Sequence, residues 1–259
     1  MPLNFPPVSD VQYENAPLIA VVCQVRFPPI LRIVDEAPSA FQELIRNRFP
    51  QLQLEHGVVI RVPRLGSQAA PEAEPPTKTY RFWTPDERMT VSLAVDFYAL
   101  STTNYKHWAD FAAHLDLAHQ AIQKVYAPTY ATRVGLRYIN RFTPANTGCQ
   151  MAAELFDFLR PELTAQSRSE AWTDPVEMRS RLLLTDNNAK FNLSTRYGEE
   201  AGEPFLILDF DYFEEGQLSL EDVVERCTRY NNIIYRAFCW CVREEKLSVF
   251  KPKAKEAPS

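Results

Sequence analysis

Residues 133–142 read RVGLRYINRF. Val134, Leu136, Tyr138 and Asn140 alternate with Arg133, Gly135, Arg137, Ile139 and Arg141. A period of two is the pattern of a strand, here with three arginines on one face. Pro144 closes the strand. Upstream, Trp108, Phe111, Leu115, Ala118, Ile122 and Val125 recur at spacings of three and four, and Pro128 follows. That spacing predicts one amphipathic helix of about 20 residues. Further upstream LIAVVCQVRF at 18–27 is a strand ended by Pro28 and Pro29. A helix follows from Pro38 to Phe49, and Pro50 ends it. Strands are expected at 58–62, 80–83 and 89–100, the last two as a hairpin about Pro85-Asp86-Glu87. Residues 65–77 are small, polar and proline-rich, an exposed mobile loop. Downstream come a helix at 151–159, strands at 176–184, 190–196 and 205–213, and a helix from Ser219 to Glu245.

This order is β-α-β-β-β-α, twice. Local similarities follow it. VRFPP at 25–29 matches NRFTP at 140–144, FQELIRNRFP at 41–50 parallels LFDFLRPEL at 155–163, and VDFYAL at 95–100 matches LDFDYF at 208–213. Arg26 then falls opposite Arg141, and Asp96 opposite Asp209, at a nearly constant offset. The expected fold is α+β: two half-repeats, 18–127 and 131–245, forming one curved antiparallel sheet packed on two long helices. This is a single domain with extended tails at 1–17 and 246–259. The arrangement resembles the TATA-binding-protein-like and helix-grip architectures, an analogy that does not fix function.

Composition excludes several functions. The chain has 259 residues but only 7 glycines, too scattered for a G-x-G-x-x-G turn or a P-loop, while 20 prolines punctuate it. The 28 basic against 33 acidic residues give a net charge of -5, which does not favour nucleic acid or an anionic membrane surface. No apolar run reaches the length of a transmembrane span, and the start MPLNFPPVSD does not read as a secretory leader. Five cysteines without framework spacing imply reduced thiols in the cytoplasm. The motifs G-x-S-x-G, H-E-x-x-H and C-x-x-C do not occur in the sequence. No catalytic residue, metal ligand or cofactor is assigned.

The candidate ligand- or partner-binding residues are Arg26, Arg133, Arg137, Arg141, Asp96 and Asp209. Arg61, Arg81, Arg179, Arg181 and Arg196 lie on neighbouring strands. Guanidinium forks match carboxylates and phosphates bidentately, so an open arginine face suits an anionic ligand or an acidic partner. The alternative is structural: Asp96 pairs with Arg26, and Asp209 with Arg141. His107, Asp110 and His114 share one helix face, which reads as a solvated surface. Trp83, Tyr98, Tyr105, Trp108, Tyr138 and Trp172 could line a cavity, although core packing is the default.

The segments LIAVVCQVRFPPIL, FQELIRNRFP, VDFYALSTTNYKHWADF and RVGLRYINRF together resemble an uncharacterised bacterial family of sporadic distribution. The resemblance spans most of residues 5–245 and supplies no catalytic residues. Patchy distribution implies an accessory role such as antiviral defence. The expected function is therefore a non-catalytic binding or sensor subunit acting with a protein partner. A helix-grip carrier of a small or lipid-like ligand is the first alternative. The second is a metal-dependent enzyme on a phosphorylated substrate, with Asp96 and Asp209 as carboxylates.

Overall fold

In a computed structural model, residues 2–8, 11–57, 77–167, 171 and 175–253 are described. The strands are β1 (Leu18–Arg26), β2 (Gln51–Gly57), β3 (Thr77–Trp83), β4 (Met89–Ala94), β5 (Phe97–Thr102), β6 (Ala131–Phe142), β7 (Met178–Asp186), β8 (Ala189–Glu200) and β9 (Glu203–Leu218). The helices are α1 (Arg32–Asp35), α2 (Ser39–Ile45), α3 (Trp108–Tyr126), α4 (Pro144–Thr147), α5 (Ala152–Phe156), α6 (Pro161–Thr164), α7 (Val223–Cys241) and α8 (Glu244–Leu247). The fold is mixed α+β, as expected. Its strands form a nine-stranded antiparallel sheet of order β2-β3-β4-β5-β1-β6-β9-β8-β7. Among the described residues no helix is long and apolar enough to cross a membrane.

The chain divides into two compact units. The first holds the described residues up to Val21, Gly135–Glu214 and those from Glu225 on; the second holds Val22–Val134 and Glu215–Val224.

In the first unit β7, β8 and β9 are joined by two-residue hairpins. Glu200 pairs with Glu203 across Ala201 and Gly202, both at positive φ (53° and 81°), the turn whose twist suits an antiparallel pair. Asp186 pairs with Ala189, with Asn187 at φ 53°. These tight turns let β8 and β9 run past the expected 190–196 and 205–213. Alternation then sends Leu136, Tyr138, Asn140 and Phe142 of β6 inward, with Phe191, Leu193 and Tyr197 of β8 and Leu206, Leu208, Phe210 and Tyr212 of β9. Helix α7 packs on this layer. Its Tyr230 ring lies 4.8 Å from that of Tyr212, and Ile234 and Phe238 are buried beside it in sequence. Each such side chain contributes about 1.5–3 kcal/mol when fully buried.

In the second unit α3 matches its expected bounds almost to the residue. Phe111, Leu115, Ala118 and Ile122 are buried, and Ala127 ends the helix in the left-handed region (φ 44°) just before Pro128. Phe41 of α2 meets Phe82 of β3 at 5.5 Å. One expectation is corrected. Residues 89–100 are not one strand but two, β4 and β5, joined by Val95 and Asp96. Neither joining residue has positive φ. The turn is instead held by the chain after β1: Ile30 N–H donates to the Val95 carbonyl (2.8 Å) and Phe27 N–H to that of Asp96 (2.9 Å). The strand expected at 58–62 and loop residues 65–76 lie outside the described residues; β2 forms just before them.

Candidate functional site

The exposed face of the first unit is built by register. Residues two apart share a face, and paired residues sit side by side. Arg181 pairs with Ser194, and Ser194 with Asp209, giving one row across β7, β8 and β9. Arg179 pairs with Arg196, and Arg196 with Ile207, giving the next row. On β6, Arg137 and Ile139 occupy the non-buried positions of the alternation. Together they line a cleft of about 430 Å³ that carries, among the described residues, four guanidinium groups and the one carboxylate of Asp209.

Asp209 is the fixed point of this face. Arg137 grips it bidentately, Nε to Oδ1 at 2.9 Å and Nη2 to Oδ2 at 2.6 Å. The Asp209 side chain is 13% exposed and that of Arg137 is 48% exposed. Hydrogen bonding to Asp209 is the main cause that raises the Arg137 pKa above its ordinary value, against partial desolvation. A guanidinium has five N–H donors, so three of Arg137's point elsewhere. The other arginines are lightly held. Arg179 Nη2 meets Glu177 Oε1 at 2.6 Å, the same oxygen stands 3.9 Å from Arg196 Nε, and Arg181 Nε donates to Asn192 Oδ1 at 2.6 Å. These are solvent-exposed contacts, weak enough for a bound anion to replace.

Arg141 borders the cleft without lining it. It pairs with Glu200, which holds that carboxyl below its ordinary range. Its guanidinium carbon lies 4.8 Å from the Phe205 ring centroid, and that of Arg196 lies 5.4 Å from it. Phe205 lies over Gly198, its cross-strand partner. A Cβ there would meet the ring at 3.1 Å.

The structure thus brings together two of the sequence candidates, Arg137 and Asp209. The alternative pairing of Asp209 with Arg141 is not formed, because Arg137 holds both carboxylate oxygens. The remaining three lie in the second unit. Arg26 is the exposed last residue of β1, and Arg133 Nη1 donates to Gln24 Oε1 at 3.4 Å. Asp96 sits in the β4–β5 turn, not within a strand, and no ion pair joins it to Arg26 among the described residues. Arg81 pairs with Glu55 at 3.0 Å, and Arg61 lies outside the described residues. The arginines that matter most here, Arg179, Arg181 and Arg196, were visible only as residues of nearby strands. Their alternation within β7 and β8 was the available signal, and the β7–β8 register was missing.

Elsewhere the polar groups are structural. His114 Nδ1 meets the Asp110 carbonyl at 2.7 Å. Buried His119 faces the Leu220 carbonyl with Nε2 (2.8 Å) and the Tyr98 hydroxyl with Nδ1 (2.7 Å). A carbonyl only accepts, so Nε2 carries the proton and Nδ1 accepts from Tyr98. Tyr138 donates to Asn231 Oδ1 at 2.7 Å. Trp108 and Tyr105 pack against Phe111, while Trp172 lies outside the described residues. Among the described residues no group of three or more His, Cys, Asp and Glu side chains could hold a metal ion.

No family model matches the chain, and no curated protein matches it significantly. Among solved structures, the S. pombe Pct1 RNA triphosphatase in complex with the Spt5 CTD aligns over 94% of this chain and 88% of that chain, at 6% identity and a TM-score of 0.14. A likeness at that level carries no argument about fold or function.

Proposed function

We propose that the protein is a non-catalytic binding subunit whose first unit takes a carboxylate- or phosphate-bearing ligand on its exposed sheet face. One observation carries this: Arg137, Arg179, Arg181 and Arg196 surround one cleft that, among the described residues, holds a single carboxylate, Asp209. Asp209 positions Arg137, and its two oxygens are engaged in doing so. The lining is too cationic for a lipid-like ligand, which wants a mainly apolar pocket.

On the same reading the two halves of the chain are related repeats contributing to one sheet, the first with four strands (β2–β5) and the second with three (β7–β9) before its long helix, with α3 and α7 as counterparts. Their equal length of 19 residues and their places after β5 and β9 support it. Among the described residues the arginine cleft lies in the second repeat, which suits a sensor that works with a partner.

Calorimetry with citrate and with inorganic tripolyphosphate tests the site. Binding should weaken as salt rises. Arg137→Glu and Arg181→Glu should each weaken it at least about tenfold while the circular dichroism spectrum is unchanged. Binding that survives both reversals places the site elsewhere.

A further inference from the structure

Among the described residues β7 ends the strand order, with β8 as its one neighbour. An edge strand offers a row of unpaired backbone N–H and C=O groups. Leu182 turns to the same side as the buried Met178 and yet is 45% exposed, while Leu183, 54% exposed, follows Arg181 on the arginine side. Arg179 and Arg181 stand on the opposite side from Leu182, two residues apart and so about 7 Å along the strand. Arg196 flanks Arg179 on β8. The edge thus has a cationic side and an apolar side at the two-residue period.

We infer that this edge binds an extended acidic segment of a partner protein as an added strand, with carboxylates at alternate positions on Arg179 and Arg181, Arg196 reinforcing the Arg179 row from β8, and apolar residues between them beside Leu182. The inference rests on the anion-binding reading above and names its partner. Charge complementarity selects this occupant. A second copy of β7 brings further arginines and, within Met178–Asp186, no carboxylate on the arginine side to receive them. Single-stranded nucleic acid binders add aromatic stacking to a cationic groove, and among the described residues the cleft is lined by arginine, isoleucine, serine, threonine and aspartate, with no aromatic ring. Glu177, whose carboxylate already touches Arg179 and approaches Arg196, marks where one partner carboxylate would sit.

The test uses the full chain and fluorescence anisotropy at neutral pH. The probe is a labelled peptide of about eight residues with alternating glutamate and valine, the length of an ordinary strand. Comparators are a peptide of equal composition with its glutamates in one block, the alternating peptide N-methylated at every second amide, inorganic tripolyphosphate and an oligouridylate. The alternating peptide should bind at least about tenfold tighter than the block peptide, and N-methylation on the pairing edge should remove that advantage. The double variant Arg179→Glu/Arg181→Glu should lose about 100-fold, whereas Arg46→Glu, on α2's C-cap, should match wild type. Equal binding of the alternating, block and N-methylated peptides with the arginine dependence intact overturns strand addition and leaves the anion site standing. Absence of peptide and tripolyphosphate binding alike overturns both, the arginines then serving only to guard the edge against aggregation. Tighter binding of the oligouridylate overturns the choice of partner.

Discussion

Asp96 and Asp209 occupy opposite kinds of place. Asp209 lies midway along β9, in a row with Ser194 and Arg181, and its side chain is gripped by Arg137. Asp96 lies in the two-residue turn between β4 and β5, and its main chain does the holding, through the carbonyl that accepts from Phe27. The surrounding residues are alike, VDFYAL against LDFDYF. A carboxylate inside a strand is tolerated when a cation satisfies it on the exposed face. A glycine-free turn is tolerated when its carbonyls are satisfied by another part of the chain. The comparison separates a side chain kept for its charge from one whose backbone is what matters.

The largest expected effect tests that separation directly. Asp209→Ala should cost about 1–2 kcal/mol in urea unfolding, since it strands the Arg137 guanidinium, with the cost reduced because Arg137 is half exposed. Asp96→Ala should stay within about 0.5 kcal/mol, because the carbonyl that anchors the turn remains. Equal losses would erase the distinction.

Each unit also has a buried tyrosine hook, and these differ in their response to pH. In the first unit Tyr212 donates to Asp186 at 2.7 Å; in the second Tyr98 donates to His119. Desolvation lowers the His119 pKa below its ordinary 6.5, outweighing the Leu220 carbonyl and Asp116. The folded state therefore resists protonation that the unfolded chain accepts. Stability should be full above pH 6.5 and fall as pH drops through that value toward the lower folded-state pKa. His119→Gln should flatten this dependence, and cost about 1 kcal/mol at pH 8 through the disturbed buried hydrogen bonds. A wild-type stability that is level from pH 8 to about pH 5 would remove His119 as a source of pH sensitivity.

Gly198→Ala should have a smaller effect, about 0.5–1 kcal/mol, because the Phe205 ring must give way by a few tenths of an ångström. Its more informative readout is ligand affinity, since that ring lies against Arg196. The smallest effect belongs to Arg141→Ala. Its partner Glu200 is exposed, so the urea midpoint should not move. A clear loss of stability there would make Arg141, like Arg137, a structural clamp.

Part of this molecule was legible from period alone. The alternation of Val134, Leu136 and Tyr138 with Arg137 and Arg141 located β6 and its arginine side, and the apolar stripe from Trp108 to Val125 located α3. The β4–β5 turn was not legible. Leu93, Ala94 and Val95 read as one apolar run, and the groups that stop it belong to residues 27–30. The cleft was half legible. The arginines could be assigned to strands, but which of them shares a row depends on register, and a one-residue slip would turn each to the other face.

The sequence by itself determined β6 and α3, the side of β6 that carries arginine, and the shortage of glycine that rules out a phosphate-binding loop. Those follow from residue type and local spacing, which act within a few residues. Only the tertiary structure decided that Arg137 rather than Arg141 takes Asp209, that Arg179 and Arg196 stand side by side, and that Asp96 turns a corner. Each depends on hydrogen bonds between strands distant in the chain, whose register follows from burying one whole face at once.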